Sequence, residues 1–170
     1  MNLFVGIVAG VISGLISSLI FFLILYHVKP RVKVSNEVCL RDIDNQMATL
    51  VIKIVNVSKS MLTDVNYDLY LEKRRDHSNV RIRAIEPRKD KLWFISKFSK
   101  KDKDLAYAAL ISYRINMRDV ENDSSSLAFV FSGEHSISGR KVCISRNYSK
   151  DSFVENGMFH QGKDLKIIKE

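Results

Sequence analysis

Thr63-Asp64-Val65-Asn66-Tyr67-Asp68-Leu69-Tyr70-Leu71 decides how most of this chain folds. Val65, Tyr67, Leu69 and Leu71 fall on one side of an alternating pattern, and Asp64, Asn66, Asp68 and Tyr70 on the other. A period of two belongs to a β-strand with one face toward a core, because successive side chains point to opposite faces. The same period recurs outward from this stretch. Upstream, Leu50, Ile52 and Ile54 alternate with Val51, Lys53 and Val55, and Val32 and Val34 alternate with Arg31, Lys33 and Ser35. Downstream come Val80-Arg81-Ile82-Arg83-Ala84, Leu92-Trp93-Phe94-Ile95, Leu127-Phe129-Phe131 and Val142-Ile144. Turn-prone residues separate them at Asp42–Asn45, Arg74–Asn79, Pro87–Asp90, Asn122–Ser126 and Ser132–Gly139. Short strands at this spacing indicate an antiparallel β-sandwich. Lys103 to Met117 reads two ways: Ala109, Ile111, Tyr113, Ile115 and Met117 alternate like a strand, while Asp104 to Leu110 suits a short helix. Within residues 99–125, then, the conformation stays open.

The period breaks completely before Lys29. The chain has 170 residues with 27 Lys+Arg and 19 Asp+Glu, a formal charge of +8, yet no Asp, Glu, Lys or Arg precedes Lys29. Leu3 to Val28 reads LFVGIVAGVISGLISSLIFFLILYHV, whose one side chain able to carry a charge near neutral pH is His27. About 20 apolar residues cross a bilayer, so this run predicts a transmembrane helix. A cleaved signal peptide would need a basic n-region, a shorter apolar stretch and a small-residue cleavage site. Lys29, Arg31 and Lys33 follow the span directly, and basic residues stay on the cytoplasmic side. The expectation is therefore a single-pass cell-membrane protein, N-terminus outside, with its C-terminal domain cytoplasmic. Residues 1–28 form the anchor, 29–35 a basic juxtamembrane link, and 36–170 the β-sandwich domain. Two distant cysteines, Cys39 and Cys143, fit a reducing compartment.

Two sets of residues stand out as contact sites. Gly6, Gly10 and Gly14 recur every four residues with Ser13 and Ser17 beside them, a small-residue face that lets helix backbones approach in lipid. Homo-oligomerisation through that face is expected. Lys29, Arg31 and Lys33 lie at headgroup level, where each charge favours anionic lipid. Other cations are dispersed among acids, as in Lys100-Lys101-Asp102-Lys103-Asp104, so no nucleic-acid surface is expected. The sequence has no G-x-S-x-G, phosphate loop, H-E-x-x-H or C-x-x-C. His77 reads as a solvated loop residue among Arg74, Arg75 and Asp76, His135 and His160 have no partner at usable ligand spacing, and the two cysteines read as small buried hydrophobes. Neither catalysis, a metal nor a cofactor is expected.

Four stretches resemble the inward-rectifier potassium channel family, in its inner helix and cytoplasmic domain. Lys29-Pro30-Arg31-Val32-Lys33-Val34-Ser35 resembles the link to the first strand. Thr49 to Asn56 resembles the strand ending in an R-x-x-N-like turn, and Thr63 to Leu71 the strand after it. Ser126 to Gly133 followed by Arg140 to Tyr148 resembles a strand, a hairpin loop and the strand ending in the family's tyrosine. Tyr148, Asp151 and Phe153 then follow its Y-x-x-[DE]-x-[IV] pattern, and Asn156-Gly157-Met158-Phe159 approximates W-G-x-x-F. The resemblance implies an immunoglobulin-like sandwich, tetrameric assembly, and phosphoinositide contact by Lys29 and Arg31. The family's pore helix and T-x-G-Y-G filter have no counterpart, Lys97 stands where its histidine is expected, and Asn156 replaces its closing tryptophan. Without filter carbonyls the chain alone cannot select potassium. The expected function is a membrane-anchored, oligomeric binding or regulatory module at the cytoplasmic face, whose partner is a membrane protein or anionic lipid. The alternative is a minimal pore that passes ions once the helices assemble.

Overall fold

The computed structural model describes residues 2–44, 46–76, 79–88, 92–99, 105–120 and 125–169. His77, residues 100–104 and residues 121–124 lie outside these, as do parts of four of the expected turns and of the stretch 99–125.

The chain opens with helix α1 (Asn2–His27), 26 residues long and free of charge until His27. At 1.5 Å per residue it measures about 39 Å, more than the hydrocarbon core of a bilayer. Leu3–His27 is long and apolar enough to cross a membrane, and none of it is buried against the rest of the chain.

Everything described after α1 is β-rich. One sheet contains β1 (Val32–Val34), β2 (Val38–Asp44), β3 (Met47–Asn56), β7 (Ala108–Asn116) and β10 (Phe153–Glu155). Strand β3 is its spine, with β7 along one edge and β1 and β2 sharing the other. All these pairs are antiparallel, and β10 adds to β2 in parallel. The other large sheet runs β5 (Asn79–Ile85), β4 (Leu62–Asp76), β8 (Ser125–His135), β9 (Lys141–Tyr148), and β6 (Phe94–Ile95) pairs with the start of β4. Strands β11 (Gly157–Phe159) and β12 (Ile167–Lys169) form a small ribbon. A single helical turn, α2 (Met117–Val120), leads out of β7.

One hydrophobic core joins the two large sheets: Leu40, Leu50, Ile52, Ile54, Ile111 and Tyr113 from the first, Leu62, Val65, Leu69, Leu71, Leu127, Phe129 and Phe131 from the second. The Tyr113 and Phe129 rings meet edge to face at 6.4 Å, and the Tyr148 hydroxyl donates to the Ser35 carbonyl at 2.7 Å. The alternating residues of β3, β4 and β8 thus supply the core as their pattern predicts.

Several local expectations are corrected. Strand β3 is buried on both faces, Lys53 included at 3% exposure, because residues 157–169 cross its outer side. Strand β5 faces the other way: Leu71 pairs with Arg83 and Lys73 with Arg81, so both arginines share the core-side face while Val80, Ile82 and Ala84 are exposed. The hairpin of β4 and β5 extends past the core, and of the β5 side chains Ile85, at its end, packs against it. Residues 108–116 are strand rather than helix. Strand β8 runs through to His135, leaving the turn at residues 136–140. Cys143 is exposed, not buried, on β9, whereas Cys39 is buried and donates to the Gly157 carbonyl. Residues 32–34 of the expected link are already strand β1.

Candidate functional site

The functional candidates converge on the end of the β domain that meets α1. Four segments build it: the last turn of the helix, the collar 29–33, the crossing from β3 to β4 (57–61), and the tip of the β8–β9 hairpin (136–140).

Asn56 organises the crossing. It is wholly buried at the end of β3. Its amide nitrogen donates to the carbonyls of Ser60 and Ser96, both at 2.9 Å, and its side-chain oxygen accepts from the Ser58 N–H at 2.9 Å. One amide therefore ties β3, the crossing and the segment after β6, satisfying backbone groups that a tight buried turn would otherwise strand. The collar is fastened to this turn. The Arg31 N–H donates to Ser58 Oγ at 2.6 Å, and the Val57 N–H donates to the Arg31 carbonyl at 2.9 Å. Lys29, Arg31 and Lys33 all have exposed side chains.

The hairpin tip closes onto the helix. The Arg140 Nη1 donates to the Tyr26 carbonyl at 2.7 Å, and its guanidinium lies 4.7 Å from the centre of the Tyr26 ring. Tyr26 sits in the last turn, where helix carbonyls have no partner within the helix. A cation there also meets the negative end of the helix dipole. The His27 ring bonds the Leu23 carbonyl at 2.8 Å. The tip is internally fixed as well: the His135 N–H donates to the Arg140 carbonyl, the Gly139 N–H to the His135 carbonyl, and the Ser136 N–H to the Met61 carbonyl. Gly139 takes φ +64°, a left-handed turn position that glycine adopts freely. His135 is buried beneath the tip, where desolvation pushes its pKa below the usual imidazole range.

Exposed apolar side chains accompany these cations. Ile137 at the tip is 63% exposed, Met61 is partly so, and Trp93 is 74% exposed beside β6. Along α1, a Cβ added at Gly6, Gly10 or Gly14 meets nothing within 4 Å, and Ser13 and Ser17 are exposed. The small-residue face is open along the helix.

Two polar clusters lie elsewhere. Lys53 Nζ donates to the carbonyls of His160 at 2.6 Å and Asp164 at 2.7 Å, which straps the C-terminal segment to β3. Burial lowers the Lys53 pKa, partly offset by the Asp164 charge. On the overhanging hairpin, Asp119 pairs with Lys73 and Arg83, each at 2.7 Å, beside a pocket of about 120 Å³ lined by Leu71, Lys73, Arg81 and Arg83. The Lys73 hydrogen bond is the main reason the Asp119 carboxyl is held below its usual pKa. Among the described residues, no group of three or more His, Cys, Asp or Glu side chains is placed to hold a metal ion. The collar and the glycine face expected from the sequence are both exposed. Sequence reasoning missed Asn56 as an anchor and Arg140 as a helix cap, since the Ser96 carbonyl lies 40 residues from Asn56 and the Tyr26 carbonyl 114 from Arg140.

No protein-family model matches the chain, and a search of curated proteins gives no significant match.

Proposed function

We propose that this chain is a single-pass membrane protein whose β domain is a binding or regulatory module at the cytoplasmic face, without catalytic activity and assembled through the glycine face of α1. The observation that carries the reading is the continuity of an uncharged 26-residue helix with a basic collar pinned to the domain. Crossing the membrane puts Lys29, Arg31 and Lys33 at the headgroups, where each is worth about 1 kcal/mol against anionic lipid. The positive flank favours a cytoplasmic domain. The open surface over Gly6, Gly10 and Gly14 suits close helix contact.

The domain reads best as an immunoglobulin-like sandwich. Strands β2–β3–β7 oppose β5–β4–β8–β9, and the chain changes sheet between β3 and β4, between β6 and β7, and between β7 and β8. The resemblance of residues 29–160 to inward-rectifier cytoplasmic domains favours a tetramer.

Native mass spectrometry of the full chain released from mixed-lipid vesicles tests assembly and lipid contact together. The expected species is a tetramer retaining anionic lipid. Gly10→Leu should reduce it to monomer, and combined Lys29→Gln, Arg31→Gln and Lys33→Gln should strip the lipid. A monomer at every concentration would refute the helix-face reading. Ion flux through the same vesicles above protein-free background, abolished by Gly10→Leu, would favour the pore instead.

A further inference from the structure

We infer that the tip of the β8–β9 hairpin is a second membrane contact, with Ile137 seated in the lipid interface so that the domain lies against the bilayer rather than swinging below it. This rests on the reading of α1 as a membrane span. Arg140 holds the tip within one side chain's length of the Tyr26 carbonyl, and Tyr26 is an interfacial residue type at the end of the span. The tip therefore sits at headgroup depth whenever the helix spans. Ile137 lies two residues beyond the last β4–β8 pair, Leu62 with His135, within the turn at residues 136–138 that closes the hairpin at this end of the sheet.

Its chemistry suits lipid. Ile137 is 63% exposed, Met61 adjoins through the Ser136 N–H bond to its carbonyl, and Ser60 and Ser136 join their hydroxyls at 2.7 Å. Residues 136–141 carry Arg140 and Lys141, Lys141 lies 3.9 Å from Asp64 and 4.0 Å from Glu134, and the collar adds Lys29, Arg31 and Lys33 nearby. An apolar tip with an excess of cations over acids around it is the composition that an anionic interface binds. The aromatic pair Trp93 and Phe94, both exposed, lies at the same end because β6 pairs with Leu62 and Thr63. The tip is also rigid enough to act as a foot, being closed by its own backbone bonds and by His135 Nδ1, which accepts from the Ser138 N–H at 3.2 Å.

The test uses the full chain in vesicles containing anionic lipid. In a Cys143→Ser background, a fluorophore is placed by Ile137→Cys, by Ile82→Cys on the far hairpin, or by Leu23→Cys within α1. Each is challenged with a shallow lipid-borne quencher and a water-soluble one. The expected result is several-fold stronger lipid quenching at 137 than at 82, with matching protection from the aqueous quencher. Equal lipid quenching at 137 and 82 overturns the inference, as does protection of 137 from both quenchers, which would mean another subunit covers the tip. A deep lipid quencher reaching position 23 confirms the span independently, so a failure at 137 alone leaves the anchor standing.

Discussion

Asn56 is the residue whose loss should cost the domain most for its size. Asn56→Ala removes the donor to the Ser60 and Ser96 carbonyls and the acceptor for the Ser58 N–H. A buried backbone group left without a partner costs about 1–3 kcal/mol. The Ser60 and Ser58 bonds are fully buried, whereas the Ser96 bond is partly open to water. Two full penalties and a reduced third give about 3–5 kcal/mol, a large share of the 5–15 kcal/mol that domains possess. Asn56→Asp should be at least as damaging, because it sets a carboxylate oxygen against two carbonyl oxygens. Urea unfolding of the full chain in micelles, followed by far-ultraviolet circular dichroism, reads this directly. With a slope of about 2 kcal/mol/M, the midpoint should fall by about 2 M. A fall below about 0.5 M in both variants would refute the role given to this amide.

Other variants probe different parts of the domain. Lys53→Met removes the strap to the His160 and Asp164 carbonyls, and residues 157–169 should be cleaved roughly tenfold faster in limited proteolysis at an unchanged urea midpoint. An unchanged cleavage rate would show that the strap holds nothing. Burial raises the Tyr148 pKa to about 12 from its ordinary 10. The folded-state value lies above the unfolded one, so the stabilisation is complete below pH 10 and is lost as pH climbs through 12. A shift of two units corresponds to about 3 kcal/mol. Tyr148→Phe should flatten that part of the stability–pH curve, and a curve as steep as the wild type's would contradict it. The Tyr113 hydroxyl is buried with no hydrogen-bond partner among the described residues. Tyr113→Phe should leave stability unchanged or raise it by about 1 kcal/mol, and a marked loss on thermal melting would argue for a partner.

How much of this was legible depends on what each side chain faces. The alternation in β4 and β8 identified their buried sides correctly, since Leu69, Leu71, Leu127, Phe129 and Phe131 all enter the core. Alternation reports that two faces differ, not that a core lies beneath one of them. Val80 and Ile82 alternate with Arg81 and Arg83 as cleanly, yet their hairpin extends past the core and the apolar side meets solvent. Lys53 sits at an outward position in its pattern but lies under a segment more than 100 residues later. The uncharged run before Lys29 and its basic flank needed no partner to be read. Arg140 acts on a carbonyl 114 residues away and Asn56 on one 40 residues away as well as on that of nearby Ser60, and composition gives no trace of the distant contacts.

The bond from Arg140 to the Tyr26 carbonyl spans 114 residues, which bears on biogenesis. A ribosome adding 5–20 residues each second needs on the order of ten seconds between those two positions. Helix α1 is therefore complete well before the arginine that caps its Tyr26 carbonyl is made. Its final turn acquires an arginine only after the whole β8 strand and the following turn have been made. Arrival of the β8–β9 turn is thereby registered at the end of α1, and a chain truncated before Arg140 would carry a helix whose Tyr26 carbonyl never receives that cap.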